Sequence, residues 1–97
     1  MPTFEWLPLF DREWRSLSPA RQRAFRYAVA AFVDDLREGT GFRKSLRVKK
    51  MQGREDVSEM TWAPDGRATF HFGNPIVEGE LHIVWRRVGS HKIFTRP

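Results

Sequence analysis

The spacing of apolar residues changes once along this chain, and that change limits the folds open to it. Between Pro19 and Glu38, Phe25, Ala28, Val29, Phe32, Val33 and Leu36 recur at the helical period and line one face. After Gly41, apolar and polar residues alternate in twos, as in strands with one buried face. A helical stripe must be buried against something, and the sheet that follows it is the available partner. The pattern predicts an α+β fold: two N-terminal helices packed on a four- to five-stranded antiparallel sheet, as one domain over residues 1–97.

Local signals place the elements. Phe4 to Phe10 read as an extended lead-in. Asp11 is the expected N-cap of a short first helix, with Phe10, Trp14 and Leu17 on one stripe. Ser18-Pro19 starts the second helix and Gly39 stops it. A first strand is expected over Leu46 to Lys50, then a polar turn from Gln52 to Asp56. Val57 to Ala63 and Arg67 to Gly73 form a hairpin around Pro64-Asp65-Gly66. Leu81 to Val88 is apolar on both faces and reads as a central strand. Gly89-Ser90 kinks the chain ahead of a tail strand, His91 to Thr95.

Alternation then separates two faces of the sheet. Met60, Trp62, Phe70 and Phe72 share the face that meets the second helix. Arg47, Lys49, Glu59, Thr61, Arg67, Thr69 and His71 share the other. The second group is cationic with one carboxylate, which suits either a solvated face or one that meets phosphate. The run Arg43-Lys44-Ser45-Leu46-Arg47-Val48-Lys49-Lys50 lies beside it, either protecting an edge strand or tracking a phosphate backbone.

Composition narrows the chemistry. There are 17 Lys+Arg against 12 Asp+Glu, a formal charge of +5, which favours polyanions or acidic proteins as partners. Cysteine is absent, so disulfides, Cys-ligated zinc and a Cys nucleophile are excluded. The first residues carry no basic start or apolar leader core, and the longest apolar run, Tyr27 to Val33, is too short for a membrane span. The expected location is the cytoplasm, with no membrane partner. A nucleophile-elbow motif is missing, which leaves acyl transfer without support.

RNA cleavage through the 2′-hydroxyl needs a base, cations for the phosphorane charge and an acid for the leaving oxygen. His71 and His91 offer proton transfer near neutral pH; His82, in mid-strand, reads as a packed histidine. Lys49 lies between cations in sequence, and the fork of Arg67 suits a phosphate clamp.

Two segments carry a family resemblance. Val57-Ser58-Glu59-Met60-Thr61-Trp62-Ala63-Pro64-Asp65-Gly66-Arg67-Ala68-Thr69-Phe70 and His82-Ile83-Val84-Trp85-Arg86-Arg87-Val88-Gly89-Ser90-His91-Lys92-Ile93-Phe94 resemble the sheet core of RelE/ParE-superfamily toxins. The Leu46-to-Lys49 strand after the second helix fits the same pattern. The resemblance implies the toxin of a type II toxin–antitoxin pair. Its RelE/HigB-like branch consists of metal-independent, ribosome-dependent mRNA endonucleases. Lys49, Arg67 and His91 then take the catalytic positions. The cations around them, Arg43, Lys44, Arg47, Lys50, His71, Arg86, Arg87 and Lys92, are the expected RNA contacts, together with Phe94. Phe94 stands where many active members carry tyrosine; it can stack on a base but cannot move a proton. The implied partners are mRNA, the ribosome and a cognate antitoxin in a hetero-oligomer, with no cofactor. The alternatives are a ParE-like gyrase poison and a non-catalytic binding module.

Overall fold

The computed structural model describes residues 2–97. In chain order the elements are β1 (Thr3–Trp6), α1 (Pro8–Ser16), α2 (Pro19–Glu38), β2 (Lys49–Met51), β3 (Arg54–Ala63), β4 (Gly66–Gly73) and β5 (His82–Gly89). Short 3-10 turns occupy Lys44–Leu46 and His91–Thr95. The strands form one sheet in the order β1-β5-β4-β3-β2. Strand β1 runs parallel to β5, and the other neighbours are antiparallel. Both α-helices pack on one face of this mixed sheet. No helix among the described residues is long and apolar enough to cross a membrane.

Helix α2 has the expected bounds because both of its ends are chemically marked. The Arg21 N–H donates to Ser18 Oγ at 3.2 Å, and Pro19 occupies the first turn. Gly39 closes the helix in the left-handed region, φ 73°. Its stripe buries Phe25, Ala28 and Phe32 against Met60, Trp62, Ala68, Phe70, Ile83 and Trp85. Tyr27 lies off this stripe and is exposed.

The lead-in over Phe4 to Phe10 is two elements. Thr3 to Trp6 pairs in parallel with His82 to Trp85, and α1 begins at Pro8 rather than Asp11. Proline suits the first helical turn, and Asp11 lies in that turn, where the helix dipole favours a negative charge. His82 clamps β1: Nε2–H donates to Glu5 Oε1 at 2.9 Å, and Nδ1 accepts from the Thr3 hydroxyl at 2.7 Å.

Three other expectations change. The strand over Leu46 to Lys50 contracts to Lys49–Met51, because Arg47 adopts left-handed backbone, φ 48°, and Leu46 turns into the core. Strand β3 begins at Arg54, since Gly53 at φ 82° lets the preceding turn close tightly. The tail His91 to Thr95 is a 3-10 turn rather than a strand. Ser90 caps it by accepting from the Lys92 N–H at 3.3 Å, and Ile93 is buried. Phe72 lies on the helix-side face as expected, yet it is 51% exposed and packs edge-on against Phe70 at 5.7 Å.

The β3–β4 turn holds a close approach. A Cβ on Gly66 would lie 2.6 Å from the Trp62 ring, and that ring is buried. Gly66→Ala is therefore expected to destabilise the protein by about 1–3 kcal/mol, as overpacking does. Thermal unfolding checks this, at roughly 4–8 °C per kcal/mol for a domain of this size.

Candidate nucleic-acid interface

The face of the sheet away from the helices is organised in rows. Strand register sets Lys49, Glu59, Thr69 and Arg87 side by side, and Thr61, Arg67 and Gly89 in the next row. His71 pairs with Val84 on the far side of the first row. The alternation read from the sequence thus places these side chains together, but the face is not an open plane. The chain after β5 folds across it. Thr69 is fully buried and its hydroxyl donates to the Pro97 backbone oxygen at 3.0 Å. Val57, Val84 and Ile93 are buried as well.

Beside this covering segment lies a cleft of about 510 Å³, lined by Met51, Gln52, Arg54, Arg86, Phe94, Thr95, Arg96 and Pro97. Three arginines and one aromatic ring line it, and none of the lining side chains is an aspartate or glutamate. Arg86 sits at a bulge: Thr69 pairs with Arg87 and Phe70 with Trp85, so Arg86 has no partner on β4. Its Nε donates to the Pro97 oxygen at 3.1 Å and its Nη1 to His71 Nδ1 at 3.1 Å. His71 accepts at Nδ1, so its neutral ring carries the proton on Nε2. Burial, and then the charge of Arg86, push the His71 pKa down. Arg54 makes two hydrogen bonds to Asp56, at 3.1 and 3.2 Å, and these hold the Asp56 carboxyl below the usual range.

The depressed histidine has a consequence for stability. The unfolded chain protonates His71 more readily than the folded one. Its contribution is therefore fully present above the ordinary histidine value of about 6.5 and is lost as pH falls from there through the folded value. Between pH 7.5 and 5.5, urea unfolding is expected to show a larger loss for the wild type than for His71→Gln. Equal losses would contradict this account.

Lys49, Arg67 and His91 do not form one cluster. Lys49 lies on the edge strand with its Nζ 3.8 Å from Glu59 Oε1. Arg47, expected in the same strand, stands ahead of it in a left-handed turn. Arg67 is two strands and one pleat away, on the order of 12 Å between Cα atoms. The Arg67 Nη1 donates to the Ala63, Pro64 and Gly66 carbonyls at 3.2, 3.3 and 2.9 Å, which gathers the turn. Its Nε and Nη2 remain unengaged among the described residues. His91 lies at the same end of the sheet, its Nδ1 2.9 Å from Asp65 Oδ1.

The other predicted contacts divide in the same way. Arg86, His71 and Phe94 belong to or border the cleft. Arg43 is tied to Asp35 through Nε and Nη2, at 3.0 and 2.9 Å, which holds the Asp35 carboxyl low. Arg87 grips Glu13 of α1 with two bonds of 2.8 Å and the Arg96 carbonyl with a third. These two arginines fasten parts of the fold together. Lys44, Arg47, Lys50 and Lys92 are exposed cations around the face. The sequence reading missed Arg54, Arg96 and Asp65. The first stood in a presumed turn, the second past the last expected strand, and the third among turn-forming residues. Only the folded chain brings Asp65 to His91.

No protein-family model matches the sequence, and no curated protein matches it either. Solved structures do. YafQ from E. coli strain BL21(DE3) superposes with a TM-score of 0.68 over 95% of this chain and 96% of its own, at 8% identity. The E. coli DinJ-YafQ toxin-antitoxin complex gives 0.67, over 94% and 93%, at 11% identity. The YoeB/ParE toxin from Agrobacterium tumefaciens gives 0.58, over 92% and 98%, at 13% identity. With two helices on a five-stranded mixed sheet, matched nearly end to end, the chain has the fold of the RelE-like toxin structures.

Proposed function

We propose that the protein is the toxin of a type II toxin–antitoxin system and acts as a ribosome-dependent mRNA endonuclease that inhibits translation. The observation that carries this reading is the arginine-lined cleft around Phe94, on the outer face of a RelE-like fold. Arg96 offers a forked donor to phosphate oxygens, Arg54 and Arg86 add the guanidinium nitrogens that Asp56, Pro97 and His71 leave unengaged, and the Phe94 ring offers a stacking surface for a base. Arg67 keeps two donor positions for phosphate. Lys49 supplies a further charge at the edge.

In this reading His91 Nε2 takes the proton of the 2′-hydroxyl. The new O2′–P bond forms as the P–O5′ bond breaks, leaving a 2′,3′-cyclic phosphate, and the departing 5′-oxygen takes a proton from water. Protein groups carry the chemistry, and cleavage persists in EDTA. An antitoxin is the regulatory partner. A concavity of about 430 Å³ on the helix side, where Trp6, Phe10, Trp14 and Phe25 meet, offers that partner an apolar docking site.

The test is primer extension on cellular mRNA after induced expression, beside Arg67→Ala and His91→Ala. New 5′ ends within translated codons, lost in the variants, support the reading. Growth arrest without new ends would overturn it in favour of a ParE-like action on gyrase. Neither arrest nor cleavage would reduce it to a non-catalytic binding module.

A further inference from the structure

We propose that Asp65 is a positioning residue for His91, fixing the imidazole tautomer so that an unprotonated Nε2 faces the RNA; the catalytic half of this inference rests on the nuclease reading above. The two groups are 26 residues apart in sequence, and Asp65 Oδ1 lies 2.9 Å from His91 Nδ1. An ionised carboxylate can only accept, so Nδ1 carries the hydrogen and Nε2 is left with its lone pair. A base must present a lone pair, and the neutral ring has one to present.

Separate features of the backbone hold the two partners. Asp65 sits in the β3–β4 turn, whose Ala63, Pro64 and Gly66 carbonyls converge on Arg67 Nη1. Gly66 lies against the Trp62 ring, so the turn is braced from its other side. His91 opens the last 3-10 turn, started by the Ser90 cap and anchored by buried Ile93 beneath it. A Cβ on Gly89 would lie 3.1 Å from Ile93 Cγ2, so that anchor sits close on the strand. The imidazole and the carboxylate are both mostly exposed, which leaves the histidine open to a substrate. The charged groups around the pair are Arg67 of β4 and Arg21 of α2. With His91 itself as the main cause, they hold the Asp65 carboxyl below the usual range.

The pair has the logic of a histidine oriented by a carboxylate: the acid moves no proton and selects which nitrogen is bare. An amide in its place can donate to Nδ1 and so favours the opposite tautomer. Asn suits this turn as well as Asp does, so Asp65→Asn is expected to keep the fold. Unchanged His82 signals, from the clamp on β1, check that it does.

The experiment is long-range ¹⁵N–¹H correlation of the histidine rings in the full chain, above the histidine titration range, for wild type and Asp65→Asn. The expected wild-type spectrum shows His91 protonated at Nδ1 and bare at Nε2, with Asp65→Asn moving the population toward Nε2–H. A wild-type His91 protonated mainly at Nε2, or identical His91 spectra in the two proteins, would overturn the proposal. Ribosome-dependent cleavage by Asp65→Asn is expected to fall about 10²-fold or more in kcat with KM unchanged, within the roughly 10²- to 10⁴-fold that a positioned general base contributes. A changed tautomer with unchanged kcat would overturn the catalytic half. In a wild type without nuclease activity the spectra still decide the pairing, so failure of the nuclease reading and failure of the pairing stay distinct.

Discussion

Phe32→Ala lowers the stability of this protein by about 3–5 kcal/mol, the range for losing a buried phenyl ring. Phe32 is fully buried where α2 crosses the sheet. Its ring stacks on Phe42 at 4.9 Å and meets Phe70 at 5.1 Å and Trp85 at 5.5 Å. Phe70 and Trp85 are held in β4 and β5 by the ladder of the sheet, so they cannot close the hole left behind. Domains of this kind are stable by roughly 5–15 kcal/mol, so the loss is a large part of the whole. At roughly 4–8 °C per kcal/mol the Tm falls by more than about 10 °C. Phe72→Ala removes the same atoms from the same face, but the ring is half exposed, and the variant is expected to lose under about 1 kcal/mol. Calorimetry on the pair separates ring burial from ring identity. Equal losses would show that α2 does not organise the core in this way.

On the proposed nuclease reading, Arg86→Ala is expected to reduce mRNA cleavage about 10- to 100-fold, the cost of losing a charge-assisted hydrogen bond to an RNA phosphate, roughly 1.5–3 kcal/mol. Arg86 is suited to that role by its place at the bulge, which turns an extra side chain toward the cleft. Its bonds to the Pro97 oxygen and to His71 aim the guanidinium before any RNA arrives. Arg86→Lys retains the charge without the fork and is expected to fall between the two. Cleavage rates on translated mRNA, with thermal unfolding as a control for folding, provide the measurement. A wild-type rate in Arg86→Ala would remove the cleft from the mechanism.

Some of this site was legible from residue order. The alternation in β3 and β4 put Glu59, Thr61, Arg67, Thr69 and His71 on one face, and the register agrees. Packing decided what those side chains do there. Arg43 and Arg87 looked like phosphate contacts, but Asp35 and Glu13 hold them as fastenings between elements. Asp65 looked like a turn former, and its contact with His91 needs both the hairpin and the returning tail. Pairings between residues far apart leave no mark in local spacing, because neither residue type is unusual where it stands.

Sequence alone determined α2, with its Ser18 cap and Gly39 stop, and the hairpin at Pro64-Asp65-Gly66. Each depends on residues within one or two turns of each other, so local stereochemistry and amphipathic period suffice. The parallel strand Thr3–Trp6, the left-handed break at Arg47 and the fold of the last seven residues across the sheet came only with the tertiary structure. Strand β1 exists because the edge of β5 offers it hydrogen bonds. The tail turns over the face because Ile93 is buried there instead of extending the sheet. The partners in both cases lie elsewhere in the fold, and four to seven residues are too few for a periodic pattern to announce them.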